Sequence, residues 1–161
     1  MEARGVKMQL QQAIEDGYTI HYVDEFVTTK STMPTHDWTP VNAAFQIDYK
    51  QYHTRTIASI VSISKEGSVE LVMNFTRSVN IPKLLSFLEQ LRSLKPNEKM
   101  AVFLDQLSVH RSNDAKTLMD ELGIKYIFNA AYSPNYNPIE GVISVGKGKV
   151  KKVRLRALAL N

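Results

Sequence analysis

The pattern of apolar and polar positions along the chain predicts a sheet with covering helices. Runs rich in β-branched and aromatic residues predict six strands, at residues 18–26, 43–49, 54–64, 68–75, 100–104 and 124–128. The first run suits a central strand that ends at the acidic pair Asp24 and Glu25. The run at 100–104 is continuously apolar, which is typical of a strand buried on both faces, and Asp105 follows it.

Apolar residues at three- and four-residue spacing predict three helices. The first begins after Asn80, a suitable N-cap, has Pro82 in its first turn and ends near Leu94. The second is capped by Ser112 or Asn113 and is closed by Gly123. The third opens at residues 137–140, and its apolar side would carry Ile139, Val142, Ile143, Val150 and Val153.

The order of these elements predicts one mixed α/β domain. The chain has 161 residues, which is about the size of a single domain. The domain would span residues 18–152, after an N-terminal extension at 1–17 and before a basic C-terminal tail at 153–161. Residues 35–40 lack periodicity and predict a loop, in which Trp38 would pack over a neighbouring surface.

The composition excludes several classes of protein. With 43% hydrophobic and 22% charged residues, the chain is globular rather than disordered. No apolar run is long enough to span a bilayer and the N-terminus is too polar for a signal peptide, so we expect no membrane partner. Without cysteine, a metal site would have to use oxygen or imidazole ligands.

The positive charge is concentrated near the C-terminus. The net charge is +4, but residues 122–161 alone carry seven basic side chains against the single acid Glu140. Such a cluster can bind the phosphates of a nucleic acid, or it can be an ordinary solvated helix end, and the sequence is compatible with both. The candidate DNA-binding residues are Lys147, Lys149, Lys151, Lys152, Arg154 and Arg156.

Three carboxylates are candidates for a metal site. Asp24 and Asp105 each follow an apolar strand run, and carboxylates at the carboxyl ends of neighbouring strands point into one crevice. Together with Glu140 they could hold divalent cations, which prefer oxygen ligands. The ordinary alternatives are two strand ends and a capping box from Asn137 to Glu140. His110 could shuttle a proton or contact phosphate, or it could be hydrogen-bonded for structure.

Taken together, the motifs resemble the DDE transposases of the Tc/mariner superfamily and their relatives in bacterial insertion sequences. Three blocks carry the resemblance: Asp24-Glu25 with Trp38-Thr39-Pro40, residues 103–111 (FLDQLSVHR) and residues 132–140 (YSPNYNPIE). Thirty-four residues separate Asp105 from Glu140, which is the family's spacing, and the likeness covers about residues 18–152. Two features depart from the pattern: Gln106 stands where Asn is more frequent, and no large aromatic residue follows Glu140.

The resemblance implies a ribonuclease H-like α/β fold, an antiparallel meander plus parallel strands with covering helices. It implies that Asp24, Asp105 and Glu140 are the catalytic residues and bind two Mg²⁺ or Mn²⁺ ions, with His110 and Trp38 as accessory residues. The reaction would be cleavage of double-stranded DNA at transposon ends and strand transfer into target DNA, with a homodimer as one expectation. The location would be the nucleus of a eukaryote, which is favoured, or the cytoplasm and nucleoid of a bacterium.

Two features leave other functions open. Family members carry N-terminal helix-turn-helix domains, and only 17 residues precede the first predicted strand, so we expect a DNA-binding domain to be missing from this chain. The glycines at 141, 146 and 148 each disfavour a helix by about 1 kcal/mol relative to Ala, so the last helix would be short or dependent on packing. The alternatives are a domesticated or degenerate, non-catalytic DNA-binding or assembly module of the same fold, and a hydrolase of RNA–DNA hybrids.

Overall fold

The computed structural model describes residues 3–29, 56–130 and 137–159. The predicted strand at 43–49, the loop that contains Trp38 and most of the turn at 132–137 lie outside these ranges. In chain order the elements are α1 (Ala3–Glu15), β1 (Thr19–Thr28), β2 (Ile57–Ser64), β3 (Val69–Thr76), α2 (Ile81–Leu94), β4 (Met100–Leu104), α3 (Asn113–Glu121), β5 (Lys125–Phe128) and α4 (Ile139–Ala159).

The described strands form one mixed sheet with β1 at its centre, in the order β3-β2-β1-β4-β5. Strands β1, β2 and β3 are antiparallel, as the predicted meander requires, whereas β4 and β5 run parallel to β1. The prediction that β1 ends at its acidic pair is wrong, because Asp24 and Glu25 are paired with Val61 and Ile60 of β2 and the strand continues to Thr28. Backbone pairing is compatible with any side chain that has room, so acids do not by themselves end a strand.

Helix α1 occupies the segment that the sequence predicts to be an N-terminal extension of the domain. Val6, Leu10 and Ala13 recur at four- and three-residue spacing and therefore share one face of the helix. Val6 and Ala13 are fully buried against the sheet, in a cluster with Ile20 and Phe103. The N-terminal segment is therefore part of the folded domain and covers one face of β1 and β4.

Helices α2 and α3 cover the opposite face of the sheet and are capped as predicted. The Asn80 side chain accepts a hydrogen bond from the Lys83 N–H at 3.3 Å, and Ser112 Oγ accepts one from the Ala115 N–H at 3.2 Å. Gly123 follows α3 with a φ of +62°, a conformation that favours glycine. The main core lies between these helices and the sheet, and its largest side chains include Leu84, Phe87, Leu88, Leu91, Met100 and Leu104.

Helix α4 lies on the same face as α1, over β1 and β2. Its first two turns bury Ile139 and Ile143 against Val61 and Ile63 of β2. The helix extends over 21 residues despite its three glycines, and it continues into the predicted tail as far as Ala159. The predicted apolar side is wrong at its distal end, because Val153 is 66% exposed.

In the part of the chain that the structure describes, no helix combines the length and apolarity needed to cross a membrane.

Candidate active site

The pairing of β1 with β4 brings the first two predicted carboxylates together. Tyr22 of β1 lies opposite Phe103 of β4. Continuing this register by two residues brings Asp105, the first residue after β4, level with Asp24. The two aspartates therefore lie side by side where β4 ends and β1 continues, although 80 residues separate them along the chain.

The third predicted carboxylate approaches from above the sheet. Glu140 is in the first turn of α4, and its side chain is exposed. Asp24 pairs with Val61, which packs against Ile139 of α4, so Asp24 and the start of α4 share one face of the sheet. Asn137 positions the helix start by accepting a hydrogen bond from the Ile139 N–H at 3.4 Å. The fold therefore brings Asp24, Asp105 and Glu140 to the same crevice.

The electrostatics of Asp24 reflect this convergence. Burial is the main cause that raises the pKa of Asp24 to about 6, and the negative charges of Asp105 and Glu140 raise it further. A hydrogen bond from the Glu25 backbone N–H and the charge of His110 act in the opposite direction. The distance from the Glu25 nitrogen to Asp24 Oδ1 is 2.7 Å. Ionised Asp24 is thus destabilised mainly by burial and further by its acidic neighbours, and a bound cation would relieve this.

His110 lies in the loop between β4 and α3 and is completely buried. Its Nδ1 is 2.6 Å from Asp105 Oδ1, and its Nε2 is 3.1 Å from Glu25 Oε1. Burial alone would lower the pKa of His110, but the hydrogen bonds and charges of Asp105 and Glu25 outweigh it and raise the pKa to about 9. The imidazole is therefore protonated at neutral pH and donates to both carboxylates.

The same contacts act on Asp105. Burial alone would raise the pKa of Asp105, but the hydrogen bond and charge of His110, with the Leu107 backbone N–H at 3.1 Å, hold it below its usual value. Asp24 and Asp105 are therefore shifted in opposite directions. Asp105 is ionised throughout the neutral pH range, whereas Asp24 titrates near pH 6.

Glu25 is the site residue that the sequence analysis missed, because the sequence places it at a strand end and in the first family block but assigns it no role. The signal was present: two adjacent acids within a β-type run must point to opposite faces of a sheet if the strand continues. Gln106, the departure from the family pattern, has a defined contact. Its Nε2 donates to the backbone carbonyl of Asn129 at 2.7 Å, which ties the loop after β4 to the end of β5.

The donor types fit a divalent metal ion, although a completed coordination sphere is not formed. Three carboxylates supply the hard oxygen ligands that Mg²⁺ and Mn²⁺ accept. Burial is the main cause of the raised pKa of Asp24, and the charges of Asp105 and Glu140 add to it. Within residues 3–29, 56–130 and 137–159, no group of three or more His, Asp or Glu side chains is spaced closely enough to enclose a metal ion.

The predicted DNA-binding residues lie on α4, beyond its buried first turns. Lys149 and Lys152 are exposed, whereas Lys147 and Lys151 are half-buried. Arg154 and Arg156 lie on the last turns of the same helix. The positive charge therefore follows one helix that begins at the carboxylate crevice, whereas Trp38 lies outside the described residues.

We expect the Asp24→Asn variant to be more stable than the wild type in metal-free buffer at pH 7.5. Asn keeps an oxygen that accepts from the Glu25 N–H, but it removes the partly buried negative charge. For a pKa shift of this size, the removal should raise the free energy of unfolding by about 1–3 kcal/mol. The melting temperature should rise by roughly 2–8 °C. Circular dichroism melting in EDTA measures this directly.

The pH dependence has a defined sign. Because the folded pKa of Asp24, about 6, exceeds the reference value of 3.8, the wild type loses stability as the pH rises from about 4 to about 6. The advantage of the variant should therefore be full at pH 7.5 and much smaller at pH 4. Asp120→Asn, at an exposed position of α3, is the control and should shift the melting temperature little at either pH. A lower melting temperature for Asp24→Asn at pH 7.5 would contradict the assignment.

Comparison with known sequences identifies one matching family, described as DDE superfamily endonuclease, over residues 19–158. A comparison with curated proteins gives no significant match.

Solved structures show the same fold at low sequence identity. The Mos1 transposase paired-end complex with left transposon end matches at a TM-score of 0.66 and 14% identity, covering 99% of this chain and 54% of that chain. The catalytic domain of Mos1 mariner transposase matches at a TM-score of 0.63 and 14% identity, covering 99% of this chain and 79% of that chain. The structure of that catalytic domain with Raltegravir and Mg matches at a TM-score of 0.63 and 14% identity, covering 99% of this chain and 81% of that chain. The chain thus spans about half the length of the transposase in the paired-end complex, and its fold is ribonuclease H-like.

Proposed function

The chain belongs to the DDE superfamily endonucleases, and we propose that it is a transposase catalytic domain that cleaves DNA and transfers the cut strand in a reaction dependent on Mg²⁺ or Mn²⁺. The observation that supports the proposal is the placement of the three carboxylates: Asp24 on β1 is level with Asp105 after β4, and the first turn of α4, which carries Glu140, packs on the same face of the sheet. Related structures support the choice of cofactor and substrate. Mos1 catalytic-domain structures contain Mg or Mn, and a Mos1 complex contains a transposon end.

In this proposal the three carboxylates hold two metal ions. Bound metal ions would activate water and neutralise the charge that develops on the phosphate during an in-line displacement. Asp24 is fixed in the central strand, Asp105 is fixed by His110 and Leu107, and Glu140 approaches on the first turn of α4. The protein therefore contributes chiefly position and charge, and no side chain has to form a bond to the substrate.

The reaction would consist of two displacements at phosphorus. In the first, the oxygen of water bonds to phosphorus and the bond to the 3′ oxygen breaks, which leaves a 3′-hydroxyl and a 5′-phosphate. In the second, that 3′-hydroxyl attacks a phosphodiester of target DNA and releases a target 3′-hydroxyl. The first step consumes one water and one phosphodiester, and the second exchanges one phosphodiester for another. No atom changes oxidation state in either step, so neither needs a redox partner.

Nicking of supercoiled plasmid by the purified full chain tests the proposal. With Mn²⁺ the chain should convert supercoiled DNA to the open circular form, and EDTA should prevent the conversion. A folded, DNA-binding chain that produces no open circles with Mn²⁺ or Mg²⁺ would contradict a cleavage function for the chain itself. RNA–DNA hybrid and duplex DNA oligonucleotides should be compared in the same assay, since preference for the hybrid would indicate a hydrolase instead.

We expect the basic side chains of α4 to contribute to DNA affinity. The double variant Lys149→Gln, Lys152→Gln removes two exposed cations, so the slope of log K against log salt should decrease in magnitude by about 2. Fluorescence anisotropy with duplex DNA between about 50 and 200 mM salt gives the slope. The matched control, Lys7→Gln with Lys65→Gln, removes two exposed lysines elsewhere. If both double variants change the slope equally, α4 is not a preferred DNA contact.

A second candidate function is a non-catalytic DNA-binding or assembly module of the same fold. It is favoured by the absence of a formed metal-binding group within the described ranges, and by the exposure of Glu140. This candidate would bind DNA in EDTA with the same salt dependence but would not nick it with either metal.

A further inference from the structure

Two consecutive acids in β1 serve opposite faces of the sheet. Asp24 pairs with Val61, which belongs to the cluster under α4, whereas Glu25 pairs with Ile60, which belongs to the core under α2 and α3. Side chains alternate along a strand, so Glu25 points away from the crevice that holds Asp24. Glu25 is therefore not a fourth carboxylate of the crevice.

Glu25 nevertheless reaches the crevice through His110. The side chain of Glu25 is 17% exposed and its Oε1 is 3.1 Å from His110 Nε2, while the other ring nitrogen is 2.6 Å from Asp105 Oδ1. The imidazole is 0% exposed, so no solvent molecule replaces either contact. A buried ring with a carboxylate at each end has its orientation fixed by both.

The contacts with Asp105 are concentrated on one oxygen. Asp105 Oδ1 accepts both from His110 Nδ1 at 2.6 Å and from the Leu107 N–H at 3.1 Å. A carboxylate held through one oxygen has a defined plane, which leaves Oδ2 as the oxygen for a cation. Hydrogen bonds from outer residues orient metal ligands in this manner, and their loss typically weakens metal binding 10- to 100-fold.

We propose that Glu25 and His110 are positioning residues: Glu25 orients the imidazole, and the imidazole orients Asp105 so that Oδ2 faces the metal ion. The inference rests on the proposed function, since it assumes that Asp105 is a metal ligand. It extends that function because it gives Glu25, on the other face of the sheet from Asp24, the role of orienting His110. It also explains why the imidazole is buried rather than open to substrate.

Mn²⁺ binding to the full chain without DNA tests this proposal. Titration calorimetry should give a Kd for Mn²⁺ that is 10- to 100-fold higher in Glu25→Ala and in His110→Ala than in the wild type. Glu25→Gln keeps an oxygen that can accept from Nε2, so its Kd should stay within about threefold of the wild type. If His110→Ala fails to fold, the contrast between the two Glu25 variants still decides the question.

The chain supplies a matched control on the same strand. His21 is 1% exposed and its Nε2 contacts Glu98 Oε1 at 2.5 Å, so Glu98→Ala removes a comparable His–Glu pair near the opposite end of β1. Melting temperatures of Glu98→Ala and Glu25→Ala should both fall, but only Glu25→Ala should lose Mn²⁺ affinity. A Kd for Glu25→Ala equal to that of the wild type would overturn the positioning role.

Failure of the proposed function would look different. If the wild type does not bind Mn²⁺, or if Asp105→Asn binds it as tightly as the wild type does, the metal site itself is wrong and the positioning role falls with it. If binding depends on Asp105 but not on Glu25 or His110, only the positioning role is wrong.

Discussion

Replacement of Asp105 by Asn is expected to reduce Mn²⁺-dependent nicking of supercoiled plasmid by about 10³-fold or more. The substitution keeps the size of the side chain but removes the charge that would hold a metal ion and pair with His110. Metal ions contribute several kcal/mol to phosphoryl transfer, and each 1.36 kcal/mol is tenfold in rate. Initial rates of open-circle formation under identical conditions measure the loss.

The related substitutions and the control sharpen this test. Asp24→Asn and Glu140→Gln should lose activity to a similar extent, although Asp24→Asn is expected to gain stability. Asp120→Asn changes an exposed aspartate of α3 and should retain the wild-type rate. Each variant should be shown to fold and to bind DNA. Retention of more than about a tenth of the wild-type rate by Asp105→Asn would exclude it as an essential metal ligand.

Replacement of Phe103 by Ala is expected to destabilise the domain by about 3–5 kcal/mol. Phe103 is completely buried, and its ring meets Tyr22 of β1 edge-on at 5.5 Å between centroids. Removing the ring leaves a cavity between the sheet and α1, where Val6 and Ala13 pack. Urea denaturation should show a lower midpoint with an unchanged m-value.

Val145→Ala is the control for the loss of apolar contact. Val145 is on α4 and 61% exposed, so its substitution should change the free energy of unfolding by no more than about 0.5 kcal/mol. A change below about 1 kcal/mol for Phe103→Ala would mean that α1 does not pack on the sheet as described. Because the domain stability is only about 5–15 kcal/mol, the expected loss is a large share of it.

The predicted helices and strands agree with the structure where the spacing of apolar residues and a capping residue indicate the same boundary. Helix α2 begins after Asn80 and ends at Leu94, and β4 spans Met100–Leu104, as predicted. Helix α1 was missed because its Val6, Leu10 and Ala13 form a narrow stripe among polar residues. The length of α4 was not predictable from propensity, because burial of its first turns on β2 offsets the cost of its glycines.

The roles of Asp24, Asp105 and Glu140 stay a prediction from motif order and spacing. Their connections to other residues could not be predicted from the sequence. The contact of His110 with Glu25 was not predictable, because 84 residues separate the two and only the sheet register brings them together. The opposite pKa shifts of the two aspartates likewise depend on burial and neighbours that no local sequence pattern specifies.

The position of the acidic pair in the middle of β1, rather than at its end, makes the chemistry depend on strand alignment. Tyr22 is paired with Ile63 on one side and with Phe103 on the other, and these pairs fix which side chains of β1 face α4. A slip of one residue would turn every side chain of the strand over. Glu25 would then face the crevice and Asp24 would face the core beneath α2 and α3. The hydrophobic residues that hold the sheet in register therefore also select which of two neighbouring acids lies on the same face as the start of α4.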